Sequence, residues 1–199
     1  MKHILIGILL STMLGTAQAG TLVINNGSFI NFSGYNGQPK TVTGAQNFGL
    51  WGYLSATSAG TFSATYLGNE SGYINNYSLG LGNTLLESNS LGTTISKSVG
   101  SGTVGFSFAD NKGSTFSNGQ QQLNILGFAI MPGQTNAYGT FAYILGFNDS
   151  YKGDADYDDF VVGVNFITAP IPEPETWAML LVGLGLVGFT ARRRIGNTA

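Results

Sequence analysis

Five aspartates lie within eleven residues of one another in the stretch FNDSYKGDADYDDFVVGVNF. They are Asp149, Asp154, Asp156, Asp158 and Asp159. The segment 20–169 contains only three other acidic residues, so eight acidic residues and four lysines leave it with a net charge of −4. Carboxylates this close repel one another unless a positive charge holds them, and a hard cation with oxygen ligands does this well. The stretch therefore predicts a metal site formed by these five aspartates.

Calcium is the ion that this ligand type favours, because Ca²⁺ takes about six to eight oxygen ligands. If residues 154–158 formed a straight strand, its two ends would lie about 13 Å apart, too far for one ion. The site therefore requires a loop, which Gly153 permits. An EF-hand is excluded, since Asp159 and Asn165 stand where that motif requires Gly and Glu. The alternative is a solvated acidic loop that keeps the protein soluble.

The acidic stretch also resembles a known segment. Asp154-x-Asp156-Tyr157-Asp158-Asp159-Phe160-Val161 is similar to the D-x-D-[FY]-N-D-[LM]-V segment near the end of several bacterial secreted β-domains. That segment follows a Gly-Phe-Glu-Asp element and is thought to bind calcium. Here Asn148 replaces its Glu, which removes a possible bidentate ligand, and Asp158 replaces its Asn. The resemblance implies calcium binding by the aspartates that match.

Catalytic groups other than carboxylates are scarce in this chain. It has no cysteine, and its one histidine, His3, falls in a predicted signal peptide. No basic patch suits nucleic acid, and no glycine-rich strand–helix motif suits phosphate. We therefore predict no catalytic residues, no enzyme activity and no nucleic-acid partner. The alternative for an enzyme is a glycoside hydrolase that works with two carboxylates.

A second group of residues, near the C-terminal end, indicates membrane attachment. Sixteen uncharged residues, 176–191, would form a helix about 24 Å long, slightly shorter than the hydrocarbon core of a bilayer. Positively charged residues stay on the cytoplasmic side, so the basic tail 192–199 predicts the orientation. The three residues that would stop the span there are Arg192, Arg193 and Arg194.

The linker 170–175 precedes this predicted span and contains Pro172, Glu173 and Pro174. Both prolines favour an extended backbone before them, which would hold Glu173 in the conformation that proteases accept. The pattern over 171–194 resembles the PEP-CTERM sorting signal of Gram-negative bacteria. That resemblance implies an exosortase as partner, cleavage around Pro172–Pro174, and an association with exopolysaccharide and biofilm. A permanent membrane anchor is the alternative.

The N-terminal segment 1–19 predicts export. Lys2 precedes an apolar run that ends at Leu14, and Ala17 and Ala19 occupy the small-residue positions of a signal-peptidase site. Cleavage after Ala19 would give a mature domain over 20–169. We expect the protein to cross the inner membrane, to be anchored there transiently, and to reach the cell surface or extracellular space.

Alternating apolar residues characterise the segment 20–169. Every second position is apolar from Val104, from Phe141 and from Phe160, and the denser run 123–130 indicates a strand buried on both faces. Gly- and Asn-rich turns separate these stretches. The pattern predicts an all-β domain, a β-sandwich or jelly roll of about ten strands.

These observations favour an exported surface or extracellular-matrix protein, and we expect calcium to stabilise it. A calcium-dependent carbohydrate-binding module is the main alternative, and the glycoside hydrolase is a more distant one. The carbohydrate-binding alternative predicts exposed aromatic residues beside the acidic stretch. The aromatic residues that could stack on sugars are Tyr35, Trp51, Tyr66, Tyr73, Tyr77 and Tyr138, although aromatic residues of β domains more often belong to the core.

Overall fold

The structure is a computed structural model that describes residues 20–32, 48–120, 126–150, 155–169 and 174–196. The predicted signal peptide 1–19 lies outside the described residues. The β domain is one compact unit, and the C-terminal helix belongs to another. The described strands of the β domain are β1 (Leu22–Asn31), β2 (Phe48–Ala56), β3 (Gly60–Gly68), β4 (Asn75–Ser78), β5 (Thr84–Leu86), β6 (Thr94–Val99), β7 (Gly102–Thr103), β8 (Ser107–Asp110), β9 (Thr115–Ser117), β10 (Gly127–Pro132), β11 (Thr135–Asn136), β12 (Gly139–Thr140), β13 (Tyr143–Asn148) and β14 (Phe160–Thr168).

The strands form two main antiparallel sheets. The larger follows the order β1-β2-β10-β13-β14-β3-β6, and β7 pairs with the end of β2. The smaller follows the order β5-β4-β8-β9, while β11 and β12 form a separate hairpin. Strands β3 and β14 are distant in sequence but are neighbours in the larger sheet. The end of β3 therefore lies beside the start of β14.

Aromatic residues of both sheets form the main core between them. Phe108 of the smaller sheet contacts Phe128, Phe147 and Phe160 of the larger, with ring centroids 5.7, 5.2 and 6.4 Å apart. All four are fully buried, and burial of such a side chain stabilises the fold by about 1.5–3 kcal/mol. The predicted all-β, sandwich-like fold is confirmed.

A second, smaller core covers the opposite face of the larger sheet. Strand β10 contributes Phe128 and Ile130 to the main core and Ala129 and Met131 to the second, so it is buried on both faces. The strand was predicted over 123–130; β10 spans Gly127–Pro132, and residues 121–125 lie outside the described residues. Phe32, Phe141 and Tyr157 cover this second face from outside the strands. Phe141 was predicted to begin a strand, but it precedes β13, which begins at Tyr143. Its ring lies over Gly163 and packs into the second core.

One helix, α1, spans Pro174–Gly196 in the described part of the chain. It begins two residues before the predicted segment 176–191, and its described apolar side chains are exposed, such as Trp177 and Leu181. No helix among the described residues combines the length and the apolarity needed to cross a membrane.

Candidate functional site

The pairing of β3 with β14 brings the candidate site together. The two strands are antiparallel, and Gly68 at the end of β3 faces Val161 near the start of β14. The residues that follow β3 therefore lie beside the residues that precede β14. The backbone N–H of Glu70 donates a hydrogen bond to the carbonyl of Asp158 at 3.2 Å, which fixes the two segments together.

Three carboxylates meet at this point, and we call them the acidic triad: Glu70, Asp156 and Asp158. One carboxylate oxygen from each lies within 4.8 Å of the others. Asp156 is 2% exposed, Asp158 is fully buried, and Glu70 is exposed to solvent. The triad is therefore open on the Glu70 side and closed on the other.

Asp158 is the least satisfied member of the triad. Both of its carboxylate oxygens are buried and have no N–H donor among the described residues. A hydrogen bond between Asp156 and Asp158 forms only when one of the two carboxyls carries a proton. Leaving a buried polar group without a partner costs about 1–3 kcal/mol, and more for a charged group. A carboxylate in this position requires either a proton or a cation.

Tyr157 gives the two aspartates of the triad their geometry. Its φ angle of 59° places it in the left-handed region, which is rare for a bulky side chain. Residues 156–158 therefore do not continue β14 as a straight strand, in which Asp156 and Asp158 would lie about 7 Å apart on one face. The residues 155–159 that precede β14 form a loop, as the sequence required. Among the described residues of this loop, the left-handed backbone conformation occurs at Tyr157. Gly153, which the sequence favoured for the loop, lies outside them.

The electrostatics of the site reflect burial and crowding. Burial raises the pKa of Asp158 to about 9, and the charge of the neighbouring Asp156 adds to the rise. Burial also raises the pKa of Asp159 to about 7, against the hydrogen bond from the Asp149 backbone, which lowers it. The ionised forms are thus disfavoured unless something positive binds here.

Asp149 and Asp159, two of the predicted ligands, belong to a hydrogen-bond network beside the triad. Asp149 accepts hydrogen bonds from Ser71 Oγ at 2.5 Å and Asn75 Nδ2 at 2.7 Å. The backbone N–H of Asp149 donates to Asp159 Oδ2 at 2.8 Å. These contacts tie the ends of β13 and β14 to β4, so both aspartates support the loop.

The structure thus divides the predicted ligand set. Asp156 and Asp158 lie together in the triad, whereas Asp149 and Asp159 belong to the hydrogen-bond network beside it. Asp154 lies outside the described residues. Sequence reasoning missed Glu70 as a ligand. The available signal was weak: Glu70 is one of three acidic residues of the domain outside the aspartate cluster.

The processing residues lie elsewhere in the chain. Pro172 and Glu173 are outside the described residues, and Pro174 is the first residue of α1. Arg192 is exposed, and Arg193 and Arg194 lie in the last turns of the same helix.

Comparison with known proteins identifies this second region. No curated protein and no solved structure matches the chain. The family model described as the PEP-CTERM protein-sorting motif matches residues 170–194. Such a motif implies export and membrane-associated sorting with processing by an exosortase. The match covers the Pro-Glu-Pro sequence, the apolar run and the three arginines, and on this basis the chain carries a PEP-CTERM sorting motif.

Proposed function

We propose that this exosortase substrate is a surface or extracellular-matrix protein whose β-sandwich is stabilised by a calcium ion. The observation that carries the proposal is Asp158, fully buried with both carboxylate oxygens unsatisfied. Glu70, Asp156 and Asp158 would hold the ion. Bound Ca²⁺ would supply the positive charge that permits these carboxylates to remain ionised in a buried place.

The triad fits calcium in chemistry and spacing. Ca²⁺–oxygen distances are about 2.3–2.6 Å, so two oxygens on the same ion can be separated by up to about 5 Å. The oxygens of the triad lie within 4.8 Å of one another. Three carboxylates leave several of calcium's coordination positions to other oxygens. The open side at Glu70 gives the ion an entry path.

Other divalent ions fit less well. Zinc prefers nitrogen and sulfur ligands, and the segment 20–169 contains neither histidine nor cysteine. Magnesium retains several of its waters and demands near-octahedral geometry. Calcium accepts irregular coordination by several protein carboxylates, which is what the triad offers.

Burial also argues against catalysis by the triad. A glycoside hydrolase must bring two carboxyl groups to opposite sides of a glycosidic bond in an open cleft. Asp156 and Asp158 are 2% and 0% exposed, so a sugar cannot reach either group. We therefore propose a binding and structural role, without enzyme activity.

The C-terminal region supports the sorting part of the proposal. We infer that the protein is anchored in the inner membrane through the segment 176–191, cut by the exosortase around Pro172–Pro174, and released to a polysaccharide-rich surface or biofilm. The family match to residues 170–194 supports this route. A permanent anchor is the competing possibility.

Calcium binding is tested on the full-length protein in detergent, by calorimetry and by thermal unfolding with calcium or EDTA. Calcium at about 100 times its Kd should stabilise the domain by about 2.7 kcal/mol. The decisive variant is Asp158→Asn. In EDTA it should be at least as stable as wild type, because the wild-type carboxyl must take up a proton to be buried without calcium, whereas Asn is already neutral. In calcium it should be less stable than wild type, because a ligand of the ion has been lost.

The matched control is Asp110→Asn. Asp110 is also buried and its Oδ2 also lacks a hydrogen-bond partner among the described residues. Its Oδ1 accepts from the backbone N–H groups of Lys112 and Ser114 at 2.7 and 2.9 Å, and it is not a member of the triad. This variant should keep the calcium-induced rise in Tm. Absence of binding at millimolar calcium, or an unchanged rise in Asp158→Asn, would contradict the calcium site and leave a solvated acidic loop.

Processing is tested by mass spectrometry of the protein released from cells that contain an exosortase. The released form should end near Pro172–Pro174, and Glu173→Ala should remain full length in the membrane fraction. Glu175→Ala, outside the Pro-Glu-Pro sequence, is the control and should be released normally. A wild-type protein that stays uncut would indicate a permanent anchor.

A further inference from the structure

A pocket of about 380 Å³ opens beside Trp51, on the edge of the β domain. Its volume falls within the range of small-ligand sites, about 300–1,000 Å³. We call it the Trp51 pocket. The described residues that line it include Asn26, Ser28, Trp51, Gly52, Tyr53 and Gln120.

Two aromatic residues form one wall of the pocket. Trp51 and Tyr53 are two positions apart on β2, so their side chains leave the same face of the strand. Both are partly exposed. Ser28 of β1 stands directly opposite Trp51, so a hydroxyl group lies beside the indole. The wall therefore offers ring surfaces together with polar groups.

A β-bulge in β1 gives the pocket a second wall, which is polar. The pairing of β1 with β2 shifts register between Asn25 and Ser28, and Asn26 adopts a φ of 51°. Asn is among the few residues that accept this conformation readily. Gly52 permits the close approach of the bulge, since a Cβ there would lie 2.7 Å from the carbonyl oxygen of Asn25. Bulges of this kind re-aim side chains next to functional sites.

The indole of Trp51 is held in place before any ligand arrives. Its Nε1–H donates to the hydroxyl of Tyr157 at 3.0 Å. The polar atom of the ring is thus satisfied within the protein, and the exposed remainder of the indole is apolar. A ligand that packs against it encounters a ring whose orientation is fixed, which lowers the entropic cost of binding.

From these features we infer that the Trp51 pocket binds a sugar ring of a neutral polysaccharide. None of the described residues that line it carries a charged side chain. An anionic ligand would have no cation to pair with here. A purely apolar ligand would cover the polar groups of Asn26 and Ser28 and the amide Nε2 of Gln120 without pairing with them, at a cost. The Oε1 of Gln120 already accepts from the backbone N–H of Ser117 at 3.1 Å. A neutral sugar satisfies both walls, because its hydroxyls pair with amide and hydroxyl groups while its C–H face packs on the aromatic rings.

The chain offers a direct optical test. Trp51 and Trp177 are its two tryptophans, so full-length protein carrying Trp177→Phe reports on Trp51 alone. Cellohexaose, mannohexaose and xylohexaose are titrated separately, with an alginate hexamer as the anionic comparison, in a detergent without a sugar headgroup. At least one neutral oligosaccharide should change the Trp51 emission saturably, and alginate should not.

Calorimetry on variants then locates the site. Trp51→Ala and Gln120→Ala should each weaken binding, the former by about tenfold or more. Gln120 is exposed at the rim, where its Oε1 accepts from the backbone N–H of Ser117 at 3.1 Å. A Tm close to that of wild type shows that the variant has lost binding and not structure. Tyr138→Ala is the control, since Tyr138 is an exposed aromatic residue outside the pocket. The inference is overturned if no neutral oligosaccharide saturates at millimolar concentration, if alginate binds more tightly, or if both pocket variants bind like wild type.

Discussion

The indole N–H of Trp51 donates a hydrogen bond to the hydroxyl of Tyr157 at 3.0 Å, although the two residues are 106 positions apart in the sequence. Tyr157 stands between Asp156 and Asp158, so the residue that orients these two carboxylates also holds the indole of the Trp51 pocket. Its ring packs on Phe32 with centroids 4.9 Å apart, and its φ angle is 59°. A change in the acidic triad is therefore expected to reach the pocket through Tyr157.

This link predicts that calcium changes the emission of Trp51. In the Trp177→Phe background, replacing EDTA by calcium should shift the emission, and Tyr157→Phe should abolish the shift because the hydroxyl acceptor is gone. The variant keeps the ring on Phe32, so it should lose only about 0.5–1.5 kcal/mol of stability. Tyr53→Phe is the control and should keep the shift. An equal response to calcium in Tyr157→Phe would show that the hydrogen bond carries no coupling.

The raised pKa of Asp158 predicts how the calcium-free protein responds to pH. The carboxyl has a pKa of about 9 in the folded state, against 3.8 for its ordinary value, so the folded state holds a proton that the unfolded chain releases. Stability from this group is therefore present on the acid side and is lost as pH rises towards about 9. The negative charges of neighbouring carboxylates raise the pKa of Asp158 further; they belong to Glu70, Asp156 and Asp159.

The measurement is thermal unfolding in EDTA at about pH 5 and about pH 8. Wild type should have the lower Tm at the higher pH, Asp158→Asn should show a smaller difference, and calcium should reduce the loss. A calcium-free Tm that rises with pH in wild type and in the variant alike would contradict the assignment to Asp158.

Gly146 of β13 should not tolerate a side chain. A Cβ at this position would overlap the carbonyl oxygen of Tyr157, so the loop between Asp156 and Asp158 packs directly on the strand. Gly146→Ala should cost about 1–3 kcal/mol, as overpacking does, and should also weaken calcium binding. Gly72→Ala is the control, because nothing lies within 4 Å of a Cβ there. Urea unfolding and calorimetry measure both effects, and a neutral Gly146→Ala would contradict the packing.

The network around Asp149 predicts a strong effect at Asn75. Asn75 is fully buried, and its Nδ2 donates to Asp149 Oδ2 at 2.7 Å and to the carbonyl of Asp159 at 3.3 Å. Asn75→Ala removes both bonds and leaves a cavity, so a loss of about 2–4 kcal/mol in the free energy of unfolding is expected. Asn76→Ala, at the next and less buried position of β4, should cost much less in the same urea titration. Equal costs at the two positions would mean that the network contributes little.

The sequence by itself determined the features that depend on local order along the chain. Alternating apolar residues predicted an all-β sandwich because the pleat of a strand sends successive side chains to opposite faces. The pattern of Pro172, Glu173 and Pro174, an apolar run and three arginines identified the sorting region, since such a signal is read as a linear segment. The aspartate stretch predicted a metal site, and two of its five carboxylates, Asp156 and Asp158, belong to the acidic triad.

Only the tertiary structure decided which carboxylates meet. Glu70 joins Asp158 because β3 and β14 pair antiparallel with Gly68 opposite Val161, and a register of this kind depends on contacts far apart in sequence. The same applies to Tyr157, whose left-handed backbone and bond to Trp51 no local pattern indicates. Periodicity fixes which face of a strand a side chain occupies, but strand pairing alone fixes its neighbour, and both candidate sites are made of such neighbours.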